Sequence, residues 1–200
     1  MPESAEATNR PDAWATGAFI AGVLGLDEEN AALALMYLTR QAVIADNGLA
    51  PATPRDAAIL LVTLIAMERP IDACAIAVGF AEAQGNRGQQ TIYDVLEAQI
   101  VAAMRSAEQG RPHPLKGAVA MLTVRRSIER PRAVIYIHSD IGDQPEFGCD
   151  PTPAVNVLAS VSGSVVTLIG KFLTEPLPEL APPPRSELVE KCFGQARAVH

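Results

Sequence analysis

Val124-Arg125-Arg126-Ser127-Ile128-Glu129-Arg130-Pro131-Arg132-Ala133-Val134-Ile135-Tyr136-Ile137 is the stretch on which the reading of this chain turns. Two runs rich in Val, Ile, Met and Tyr, 118–128 and 133–138, flank Glu129-Arg130-Pro131-Arg132, whose length and composition suit the loop of a β-hairpin. Residues 133–137 are apolar throughout, which fits a strand packed on both faces or against a helix. Four arginines, Arg125, Arg126, Arg130 and Arg132, gather around the tip.

Upstream of the hairpin the texture is helical. Thr53-Pro54-Arg55-Asp56 is a helix start, with a hydroxyl cap, Pro at the first position and a carboxylate three residues after the cap. The run 57–67 is apolar except for Thr63, which predicts a helix at the centre of a domain. Arg69-Pro70 ends it. A second helix is expected over 71–84, with Ala73, Ile76, Ala77 and Phe80 on one face. Gly85-Asn86-Arg87-Gly88 reads as a turn, and its backbone amides are a weak candidate phosphate cradle. A third helix is expected over 90–109, with Ile92, Val95, Leu96, Ile100, Ala103 and Met104 at helical spacing, ended by Gly110 and Pro112.

Further out the signals weaken. Residues 1–10 read as a frayed tail, 11–24 as a short helix, and a clearer helix follows Asp27, with Glu28 and Glu29 in its first turn and a stop at Asn47-Gly48. Residues 140–153 are loop-like. Segment 154–173 admits two readings. Ala154, Leu158, Val161, Val165, Leu168 and Phe172 form a helical seam, while Val155, Val157, Ala159 and Val161 alternate like a strand and Ser162-Gly163 could turn a hairpin; the longer helical seam is favoured. Five prolines over 174–184 mark an extended linker, and a short helix could cover 185–197. The expected organisation is N-terminal helices over 1–47, a central unit over 48–142, and a C-terminal helix, linker and terminal helix over 143–200.

Three helices followed by a hairpin with arginines at its tip is the order of a winged helix-turn-helix, in which the start of the third helix meets base edges and the wing meets phosphates. Arg87, Gln89, Gln90, Thr91 and Tyr93 lie around that start. Gln can bond adenine and Arg guanine bidentately, and Thr and Tyr commonly reach phosphate. Arg125, Arg126, Arg130 and Arg132 would grip the adjacent backbone. The net charge of −7 argues against a general nucleic-acid binder, but 105–132 carries seven cations against Glu108 and Glu129, a net of +5 that leaves −12 elsewhere. Phosphates respond to such local fields.

The wing, together with Ser139-Asp140-Ile141-Gly142 after it and Gly48-Leu49-Ala50-Pro51-Ala52-Thr53-Pro54 before the first of the three helices, resembles MarR-type winged-helix regulators over about residues 48–142. That resemblance implies a homodimeric transcriptional regulator of double-stranded DNA whose flanking helices form the dimer interface. The expected fold is thus mainly α with one β-hairpin, a winged helix-turn-helix core flanked by dimerisation helices. The seam over 154–172 would be the oligomer interface, with packing inside the chain as the alternative.

Other readings stay open. The arginine hairpin could meet an acidic protein, making the chain a helical interaction protein, such as a signalling adaptor or a phage-type accessory factor. His138, Asp140 and Asp143 could begin a metal site in a small hydrolase, with His113, Glu146, Cys149 and Asp150 as further donors. Acidic loops are more often solvated, so no metal and no cofactor is expected. Cys149 could sense oxidants, but its acidic neighbours Glu146 and Asp150 would raise its pKa. Cys74, among Ala73, Ala75 and Ile76, is simplest as a core residue. Three scattered cysteines without a CxxC pair, a polar N-terminus and no 20-residue apolar span point to a reduced cytoplasmic protein off the membrane. No GxGxxG, GxxxxGK, GxSxG or HExxH motif is present, so catalysis is not expected.

Overall fold

The computed structural model describes residues 10–83, 85, 90–125, 132–138, 145–148 and 158–176. Among them are six α-helices, α1 (Ala13–Leu24), α2 (Glu28–Arg40), α3 (Pro54–Ala66), α4 (Ala73–Glu82), α5 (Ile92–Glu108) and α6 (Ser164–Thr174). Four strands, β1 (Val119–Arg125), β2 (Ala133–Ile137), β3 (Glu146–Phe147) and β4 (Leu158–Ser162), form one antiparallel sheet in the order β3-β2-β1-β4. The fold is mainly helical, as expected, but the sheet extends the single hairpin by a strand on either side.

Capping chemistry sets the helix starts. Thr53 and Asp56 close a reciprocal capping box on α3, with Pro54 at its first position. Asp12 accepts from the Ala15 amide at the start of α1, and Asp27 from the Glu29 amide at the start of α2. α2 ends at Arg40, short of the expected stop at Asn47-Gly48; the chain turns through Ala42 at φ 54° and a 3-10 turn at Asp46–Gly48. Gly48 is required there: its φ is +73°, and a Cβ on it would lie 3.0 Å from Trp14 Nε1.

α3 is the central element, buried at every position from Ala57 to Ala66. It touches α1, α2, α4, α5 and α6 and the sheet. One continuous apolar cluster runs from Ile20 through Leu60, Leu64, Phe80 and Leu96 to Ile135, Phe147 and Ile169. The flanking helices therefore share the core of the central unit. The inner face of the sheet supplies Leu122, Val124, Ala133, Ile135 and Phe147 to that core, all nearly inaccessible, while Thr123, Ser160 and Glu146 alternate onto the outer face.

Segment 158–176 combines both readings of its sequence. Ala159 and Val161 point inward from β4, and Ser160 and Ser162 point outward. The helix begins only at Ser164. Gly163 forces the break. Its amide donates to Ala120 O at 2.8 Å, and the position a Cβ would take lies 1.7 Å from Val119 O, so only glycine lets the chain leave the sheet there. α6 buries Val165, Val166, Ile169 and Leu173 against α5 and α1, and Phe172 stacks on Phe19 with centroids 4.2 Å apart. Of the seam expected to join two copies, Val165 is buried inside the chain, Val161 and Phe172 are half-buried, Leu168 is exposed, and Ala154 lies outside the described residues. Among the described residues no helix is long and apolar enough to cross a membrane.

Candidate nucleic-acid interface

The start of α5 is built from Thr91-Ile92-Tyr93-Asp94. Thr91 caps the helix: its hydroxyl accepts from the Asp94 amide at 3.3 Å, and its own amide donates to Asp94 Oδ2 at 2.7 Å. Asp94 also accepts from Arg55 Nη1 at 2.5 Å, and Glu97 lies 3.5 Å from the same nitrogen. The Arg55 guanidinium sits over the Tyr93 ring, 5.3 Å from its centroid. Hydrogen bonding by the Thr91 amide, then by the Thr91 hydroxyl and Arg55, holds the Asp94 carboxyl below its usual pKa despite partial burial.

These contacts correct two of the expected DNA contacts. Tyr93 is 1% exposed, and its hydroxyl donates to Ala77 O at 3.0 Å, so the ring locks α5 onto α4 and cannot reach phosphate. Burial raises its pKa above the normal phenol range. The Thr91 hydroxyl is committed to the cap. Asp94 in the first turn of α5 and Glu97 in the second thus both face the Arg55 guanidinium of α3, which neutralises part of their charge.

Ahead of α5, the Gly85 amide donates to Gln90 O at 3.0 Å, closing the turn, and Gly85 forms an isolated antiparallel bridge with Phe147. Gln90 is exposed. Arg87 and Gln89 lie outside the described residues. Phe147 pairs with Ala133, Ala133 with Val124, and Val124 with Ala159. Gly85, Phe147, Ala133, Val124 and Ala159 therefore form one row across the sheet. At ~4.8 Å per strand, the turn before α5 lies about 10 Å from β2.

That row runs beside the neck of the hairpin. The Arg125 amide donates to Arg132 O at 2.8 Å, and the chain between them, with Arg126 and Arg130, lies outside the described residues. Arg125 is corrected from a phosphate contact to a buried side chain, 5% exposed at the end of β1. Arg132 is a third exposed and pairs with Glu146 of β3 at 3.3 Å.

The basic island of the sequence is not one surface. α5 runs away from Gly85 and Gln90, and β1 returns to that end. Arg105, Arg111 and Lys116, all exposed, therefore lie toward the other end of the hairpin, where the Gly117 amide meets His138 O. Seven residues of β1 separate the ends by about 20 Å.

The alternative sites fare as follows. His138 is exposed, and Asp140 and Asp143 lie outside the described residues, as does Cys149. Among the described residues no three His, Cys, Asp or Glu side chains are grouped to hold a metal. Cys74 is only half-buried, lining a groove of about 530 Å³ with Tyr37, Gln41, Val43, Ile71, Ala75 and Val78, and burial pushes its thiol pKa up. Sequence reading missed Arg55 and Glu146, two partners that lie 39 and 14 residues from the groups they bind. No protein-family model, curated protein or solved structure matches this chain.

Proposed function

We propose that this chain is a DNA-binding transcriptional regulator, acting as a homodimer, that holds a duplex at the hairpin end of its sheet. The observation carrying this reading is the row from Gly85 through Phe147 to Ala133, which sets the turn ahead of α5 beside the neck of the arginine hairpin. A contact surface of that kind joins two functions: side chains of the turn for base edges and guanidinium groups for the flanking phosphates. Arg87, Gln89 and Gln90 are assigned to the groove, and Arg126, Arg130 and Arg132 to the backbone. Thr91, Tyr93 and Arg125 act as structural supports. The resemblance of the hairpin sequence to MarR-type wings points the same way. The test is an anisotropy titration of a labelled random-sequence duplex across a salt series. Binding at 50 mM salt that weakens steeply on a log–log plot supports the reading; no binding at low salt overturns it.

A protein-binding module is the second reading, favoured by the groove between α2 and α4. Its lining is uncharged, and Ile71 and Val78 remain 61% and 47% exposed beside it. Stable binding to a protein partner, with no affinity for duplex, would select it.

A further inference from the structure

We propose that Glu146 is an intramolecular stand-in for DNA phosphate, holding Arg132 in the DNA-free protein and setting how tightly the hairpin neck takes a duplex; the proposal rests on the DNA-binding reading above. Glu146 and Val134 are opposite one another in the β2–β3 pair, so Glu146 lies diagonally across from Arg132 on the outer face of the sheet. Arg132 Nη2 donates to Glu146 Oε2 at 3.3 Å. The two side chains are 33% and 42% exposed, so the pair is solvated and its partner can be exchanged. A phosphate oxygen offers the same guanidinium the same kind of acceptor, with a full negative charge.

The position of β3 strengthens the case. β3 is only two residues long, and both have a place at this end of the sheet: Phe147 bridges to Gly85, and Glu146 meets Arg132. One short strand thus sets the distance between the turn and the hairpin neck and also places a carboxylate on the neck's half-exposed arginine. When a duplex binds, Arg132 must leave Glu146, and the carboxylate then stands near the phosphates as a like charge. Both effects weaken non-specific attachment, which depends on phosphate contacts alone. The cost falls on every duplex alike, so the pair sets the overall strength of attachment and leaves the choice between sequences to the base contacts.

Glu146→Gln keeps the shape of the side chain and removes its charge, and Glu146→Ala removes the acceptor as well. At 50 mM salt either variant should bind random duplex about threefold tighter than the wild type, or more, the scale on which an exposed charge pair acts. In an Arg132→Ala background the same substitution should change affinity by much less. Wild-type binding with no gain in either Glu146 variant overturns the role of Glu146 and leaves the DNA reading standing. An equal gain with and without Arg132 also overturns it, because general charge repulsion then accounts for the effect. Failure of all the proteins, wild type included, to bind duplex overturns the DNA reading, and this inference with it.

Discussion

Gly85 lies so close to the Phe147 ring that a Cβ on Gly85 would sit 3.0 Å from Phe147 Cε1 and 3.1 Å from Gln90 O. That contact joins the turn ahead of α5 to the edge of the sheet. Gly85→Val should push the turn off β3, destabilising the protein by about 1–3 kcal/mol as overpacking does and weakening duplex binding. Urea unfolding and a DNA titration measure the two effects. Unchanged stability would mean that the turn and β3 are not in tight contact.

Tyr93 gives a sharper division between support and contact. Tyr93→Phe removes the donor to the buried Ala77 carbonyl and should cost roughly 1 kcal/mol of stability. Duplex affinity should not change beyond that attributable to unfolded protein. A specific loss of DNA affinity in a fully folded variant would return Tyr93 to the interface.

The Thr91–Asp94 box predicts a pH dependence of known sign. The folded-state pKa of Asp94 is lowered, so its contribution is present above the unfolded value of about 3.9 and is lost as pH falls through the folded value. Asp94→Asn should destabilise by about 1 kcal/mol near pH 7, and the gap to wild type should close below about pH 4. Denaturant unfolding at pH 7 and in acid measures this. A gap that widens in acid would contradict the pairing.

α5 and α6 approach through glycine. A Cβ on Gly170 would lie 2.5 Å from Ala103 Cβ and 3.0 Å from Ile100 O. Gly170→Ala should destabilise by about 1–3 kcal/mol. Adding Ala103→Gly should recover part of that loss, since it removes the first clash at a helix cost of about 1 kcal/mol. Strict additivity in a double-mutant cycle would show that the two positions do not meet.

Much of the fold could be read directly from the sequence where the signal was local. Thr53-Pro54-Arg55-Asp56 announced α3, and the unbroken apolar run after it announced a central helix. Two apolar runs around a short polar stretch announced an antiparallel strand pair, but not its register: the loop was expected at 129–132, whereas Val124 pairs with Ala133 and the Arg125 amide already meets Arg132 O. The rest needed tertiary information. Ser162-Gly163 splits its segment into strand and helix because β1 passes within van der Waals distance of Gly163, which no periodicity reports. Thr91 and Tyr93 carry types suited to DNA, yet the Thr-x-x-Asp spacing ties the first into a cap and the ring between them packs inward. Arg125 looks like its neighbours in sequence, yet its side chain is 5% exposed in the folded chain. The basic island from 105 to 132 is continuous in sequence and divided in space.

The central claim is that the arginine hairpin meets phosphate beside the turn that precedes α5. The most direct measurement is the salt dependence of duplex affinity for the wild type and for Arg130→Ala/Arg132→Ala. Each phosphate contact contributes about 0.9 to the log–log slope, so the double variant should bind more weakly with a slope smaller by about two. Identical affinity and slope in the two proteins would remove the hairpin from the interface and contradict the account.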